Sequence, residues 1–235
     1  MTLRYLLASF VMLLCLSSQA QTVAESMTLF EDGKTQEAVA QLKQLGLGGN
    51  AEAQNILGVL YDNGQGVAQD YKQARVWFEK AAAQSHAIAQ YHLGFMYEAG
   101  RGVPHNDKQA LHWYKLAAAA AEPNAQYRLA LMSLNGFGVK PNPIEARKWF
   151  ALAAAQGDPH AQRQLGTLYA KGLGVAQNKI LAYMWLDIAR GLGEQSAVRI
   201  LAELSETMSK DSVTRAQELA TRCIAKSYQG CEVAL

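Results

Sequence analysis

Between Ala87 and Glu98 the residues Ala89, Leu93 and Tyr97 fall at i, i+4 and i+8, a spacing that predicts a helix with one buried stripe. A second stripe, Ala74 with Trp77 or Phe78 and then Ala81, predicts another helix after the turn at Gly64. Both stripes recur every 36 residues: Leu57, Leu93, Leu129 and Leu165 on the first, and Ala74, Ala110, Ala146 and Ala182 on the second. The tryptophans Trp77, Trp113, Trp149 and Trp185 keep the same register and are expected in equivalent, largely buried places. A helical hairpin this small cannot bury its own apolar face, so a fixed period of this length marks stacked hairpins.

The joints repeat as faithfully. The pairs Gly64/Gly66, Gly100/Gly102, Gly136/Gly138 and Gly172/Gly174, each followed by a valine, predict a reversal in which glycine supplies positive φ. Asp70, Asn106, Asn142 and Asn178 then occupy one position suited to capping the next helix, and Pro143 suits the first helical position. The third hairpin departs in two places, with Ala130 where the others have glycine and Ser133 where they have tyrosine.

The four repeats span 51–193. Residues 21–50 read as a degenerate capping repeat: Gly33 turns the chain, Thr35 caps, and Ala38 and Leu42 sit one period before Ala74 and Phe78. Residues 194–235 read as capping helices, one over Ser196 to Met208 and one begun by Ser209 and running to Ala225. The expectation is one elongated all-α domain, an α/α solenoid of helical hairpins.

The run Ala89, Leu93, Gly94, Tyr97, Gly100, Gly102, Val103, Asn106, Ala110, Trp113, Tyr114, Ala117 and Ala118, with equivalents one period away on either side, resembles the Sel1-like repeat, a relative of the tetratricopeptide repeat. That resemblance implies a non-enzymatic, right-handed superhelical scaffold that binds proteins or cell-envelope components. It also implies that first helices line the inner curve. Some cysteine-rich relatives are described as penicillin-binding or weakly hydrolysing β-lactams, and those carry a cysteine pair in every repeat. This chain has none within its repeats, so β-lactam binding or hydrolysis ranks last among the readings.

Composition adds the compartment. Arg4, the apolar run from Tyr5 to Leu16 and Ser18-Gln19-Ala20 make residues 1–20 a cleavable secretory signal, with an uncleaved membrane helix as the alternative. Leu14 before Cys15 is a poor match to a lipoprotein site, so Cys15 leaves with the signal. A periplasmic or secreted protein then keeps Cys223 and Cys231, which are expected to form a disulfide; two free buried thiols are the alternative.

Charge and motifs exclude several functions. Lysine and arginine number 22 against 20 acidic residues, far from the basic stripe that nucleic acid requires, and nothing points to affinity for a membrane surface. His86, His92, His105, His112 and His160 show no metal spacing, Ser85, Ser133 and Ser205 lack a nucleophile elbow, and no lysine follows the glycine pairs as in a phosphate loop. No cofactor, metal or catalytic residue is expected.

A candidate binding surface comes from the first-helix positions off the core stripe. Stepping by 36 from Asn55 gives Tyr91, Tyr127 and Arg163, and stepping from Val59 gives Phe95, Leu131 and Thr167. Tyr91, Phe95, Tyr127, Leu131 and Arg163 would form a concave patch for a protein or peptide partner, since aromatic and arginine anchors dominate such contacts. The alternatives are packing between repeats, and a structural spacer or assembly component of the cell envelope.

Overall fold

The computed structural model describes residues 22–231. The expected signal at 1–20, with Cys15, lies outside the described residues. Among the described residues all regular structure is helical. Helix α1, described over 22–31, is followed by α2 (Thr35–Leu47), α3 (Ala51–Asn63), α4 (Tyr71–Ala82), α5 (Ala87–Ala99), α6 (Asp107–Ala119) and α7 (Pro123–Asn135). Then come α8 (Pro143–Ala155), α9 (Pro159–Lys171), α10 (Lys179–Gly191), α11 (Ser196–Ser205) and α12 (Lys210–Ala225). This is the all-α, helical-hairpin solenoid class that the period predicts.

Where the sequence reads as one run of repeats, the chain divides into two compact units, one ending at Asn106 and one beginning at Asp107. In the first unit α2 packs on α3, α3 on α4 and α4 on α5; in the second, each helix from α6 to α10 packs on the next, and α10 also carries α11 and α12.

The core of each unit is built from the repeating stripe, with one correction to the expectation. Trp77 and Trp185 are buried, at 7% and 2% exposure, but Trp113 and Trp149 are only half-buried. The residue after each tryptophan is the one that disappears from solvent: Phe78, Tyr114, Phe150 and Leu186 are all fully buried. The reason is helical geometry, because Ala74, Phe78 and Ala81 at i, i+4 and i+7 form the inward stripe and Trp77 flanks it. A Cβ on Gly58 would come within 2.4 Å of the Phe78 ring, and one on Gly166 within 2.6 Å of Leu186, so glycine makes room for the large residue opposite. In the third hairpin Ala130 and Phe150 share one core cluster despite the added methyl.

The glycine pairs do more than turn the chain. Gly172 closes α9 in the left-handed conformation (φ 69°) with its N–H donating to Leu168 O. Gly174, also at positive φ, lies so close to the start of α8 that a Cβ would stand 2.4 Å from the Pro143 carbonyl carbon. Gly66 against Thr35, Gly102 against Tyr71 and Gly138 against Asp107 repeat that approach. The second glycine of each pair is therefore the contact that seats one hairpin on the one before it. Asp70, Asn142 and Asn178 cap their helices as expected, accepting from backbone N–H groups of the first turn. Thr35 does not cap: it is the first helical residue of α2, and Lys34 precedes it without a side-chain cap. At the far end Ser209 caps α12, and Cys223 is bonded to Cys231.

Candidate functional site

The first helices carry the candidate residues, and two hidden registers hold those helices in place. Asn50, His86, Glu122 and Asp158, each 36 residues apart, cap α3, α5, α7 and α9 through side-chain acceptance from first-turn N–H groups. Gln54, Gln90, Gln126 and Gln162, all buried, donate back to Gly46 O, Ala82 O, Ala118 O and Ala154 O near the end of the preceding helix. These bonds tie consecutive hairpins together, each adding a second donor to a carbonyl that already accepts a turn N–H and giving the buried amide a partner. Gln84 and Gln156 in turn donate to Gln54 Oε1 and Gln126 Oε1. One period beyond Gln156 stands Leu192, which has no amide to offer, and the Oε1 of Gln162 has no partner among the described residues.

On this frame the five candidate residues are all half-buried. In the first unit the Tyr91 ring lies 5.4 Å from His92, and the Arg101 guanidinium lies over Phe95 at 5.1 Å. His92 is itself stacked on Phe78 at 4.7 Å. Burial, reinforced by the nearby His86, lowers its pKa to about 4, so it is neutral at physiological pH.

In the second unit Tyr127 and Leu131 pack against the core cluster, and the Tyr127 ring lies 5.7 Å from Phe150 and 6.0 Å from His160. The Nε of Arg163 stands 3.6 Å from Glu194 Oε1, and His160 Nδ1 pairs with the other carboxylate oxygen. Tyr127, His160, Arg163 and Glu194 are thus linked in one chain of contacts, whereas Tyr91 and Phe95 belong to the other unit.

Sequence reasoning missed His160 and Glu194. The signal was present for the second, because Glu194 lies 36 residues after Asp158 and so continues the capping register. It accepts from Ser196 N at 3.2 Å and from the Ser196 hydroxyl at the start of α11, with its side chain only 7% exposed. Burial pushes the carboxyl up, but hydrogen bonds from Ser196 and His160 outweigh it and the net shift is downward. The carboxylate is therefore a buried anion that fastens α11 to α9.

Among the described residues no group of three or more His, Cys, Asp or Glu could hold a metal ion, and no helix is long and apolar enough to cross a membrane. The polar clusters named above are caps, ladders and ion pairs, which hold the fold together.

The Sel1 repeat model matches residues 51–86, 87–121, 123–158 and 159–193. A Sel1 repeat protein from Oxalobacter formigenes is 31% identical, with a TM-score of 0.74 over 83% of this chain and 82% of that one. A protective antigen present in uropathogenic Escherichia coli strains, displaying the same repeat fold, is 30% identical with a TM-score of 0.73 over 82% of this chain. This chain covers only 42% of that antigen. The Pseudomonas aeruginosa protein pilF, at 18% identity and a TM-score of 0.58 over 93% of this chain and 98% of that one, shares the fold alone. No curated protein matches the chain.

Proposed function

We propose, from the premise that the chain belongs to the Sel1 repeat family, that it is an exported, non-enzymatic scaffold that binds a protein or peptide through its first-helix faces. The first unit offers Tyr91 and Phe95, and the second offers Tyr127, Leu131 and Arg163. One observation carries this reading: these five are half-buried while their stripe neighbours Leu93, Leu129 and Leu165 are sealed in the core. An outward face made of aromatic, apolar and arginine side chains is the composition of a contact hot spot. Export rests on residues 1–20 and on a cysteine pair suited to an oxidising compartment.

A structural-spacer reading has one observation in its favour, the contact of Tyr127 with the buried Phe150. The two readings part on a single variant. A partner recovered from envelope extract is titrated calorimetrically against the wild type and Tyr127→Ala, and both proteins are melted. Binding weakened by about 1–3 kcal/mol with helicity retained supports the scaffold. Unchanged affinity with a sharply lower melting temperature makes Tyr127 a packing residue and favours the spacer.

A further inference from the structure

In the second unit the residue held between the paired glycines is Phe137 in one turn and Leu173 in the next, exposed by 52% and 41%. Val139 and Ile144 lie beside them at 39% and 57%. The close approach of Gly174 to Pro143 and Ile144 brings the second turn against the start of α8, so Leu173 and Ile144 share one edge. Exposed lysines stand among these residues, with Lys140 following Val139 and Lys171 preceding Gly172. Lys108, in the first turn of α6, occupies the position equivalent to Ile144 and is also exposed. Two carboxylates lie nearest in the chain: Asp107, beside Lys108 and against Gly138, and Glu145, which accepts from the Trp149 indole. The three lysines outnumber these two carboxylates, so the edge is apolar at its tips and net cationic around them, and an occupant that complements it is anionic with an apolar interior.

We propose that this turn edge is a docking surface for an anionic lipid bilayer, with Phe137, Val139, Ile144 and Leu173 entering the interface and Lys108, Lys140 and Lys171 meeting head-group phosphates. Two features favour a lipid surface over an acidic peptide. Phe137 and Leu173 project from the tips of successive turns, where a flat surface reaches them more readily than a narrow groove would. The N–H groups at the two tips are not free to pair with an extended peptide, because Phe137 N already donates to Met132 O and Leu173 N to Leu168 O. Apolar tips inserted at the head-group boundary and ringed by lysines combine the two terms that drive interfacial binding. Membrane-surface affinity is invisible in the overall charge balance, because the lysines gather on one edge only after folding.

The test is cosedimentation of the purified full chain with vesicles of phosphatidylcholine and phosphatidylglycerol in a roughly two-to-one mixture. The wild type is expected to bind, less so as salt is raised. Phe137→Gln with Leu173→Gln should weaken binding at least about tenfold, and Lys140→Ala roughly fivefold. These replacements copy Gln65 and Ala68, which occupy the same turn positions in the first unit, and unchanged thermal melting confirms that the variants fold. The proposal is overturned by wild-type protein left in the supernatant or by a double variant that binds as tightly. It is equally overturned if a soluble acidic peptide carrying leucines binds at Phe137 and Leu173 while vesicles do not, which would assign the edge to a protein.

Discussion

The two units share an interior and differ at their turns. In the first, the positions between the glycines are Gln65 and Arg101, and Arg101 is spoken for: it pairs with Asp62 at 3.3 Å and lies over Phe95 and Tyr71. In the second, the same positions are Phe137 and Leu173, exposed and apolar. The flanking glycines, the buried glutamines and the residue after each tryptophan hold the same places in both. Packing fixes the inner registers because any change there meets a neighbour within a few tenths of an ångström. The turn tips of the second unit are open to solvent, so packing constrains them less than it does the interior.

That contrast can be broken hardest at the shared interior. Phe78→Ala in the first unit and Phe150→Ala in the second should each cost about 3–5 kcal/mol in denaturant unfolding, whereas Trp149→Ala, at a half-buried position, should cost clearly less. Equal losses at 149 and 150 would show that the tryptophan matters to the core as much as its neighbour.

Acid should separate the units next. The lowered pKa of His92 means the unfolded chain takes up a proton before the folded one does. Its contribution is complete above the ordinary value of 6.5 and is lost as pH falls toward about 4, on the order of 3 kcal/mol in all. His92→Phe should flatten that limb of the stability profile. In the second unit Glu194 is also depressed, so its contribution is present above the ordinary carboxylate value of 4.5 and fades below it. Glu194→Gln should remove only that lower limb. A His92→Phe variant that keeps the upper limb would refute the assignment.

A smaller effect belongs to the second unit's tail. The Cys223–Cys231 bond closes only a short loop, so reducing it should cost about 2 kcal/mol, confined to α12 and visible as faster amide exchange there rather than as loss of the repeats. Smallest of all, exchanging the turn tips, Phe137→Gln or Leu173→Gln, should change stability by less than about 0.5 kcal/mol. A larger change would mean that the tips are part of the fold and not of a surface.

Much of this was written in the chain. Period 36, the stripes at Leu93 and Ala110, the glycine pairs and the caps at Asp70, Asn142 and Asn178 determined the helical hairpins and their order, because each depends on neighbours within one or two turns of helix. The sequence also supplied the positions of Tyr91, Phe95, Tyr127, Leu131 and Arg163 without saying how deeply each is sunk. Tertiary structure decided the rest. It chose Phe78 and Phe150 over the adjacent tryptophans for the centre of the core, gave Gly174 its role against Pro143, and joined Glu194 to His160 and Arg163. It also gathered Phe137, Ile144 and Leu173 on one edge. Those outcomes depend on which helix face a neighbouring hairpin covers, a matter of distances between residues far apart in the chain, and local periodicity carries no record of it.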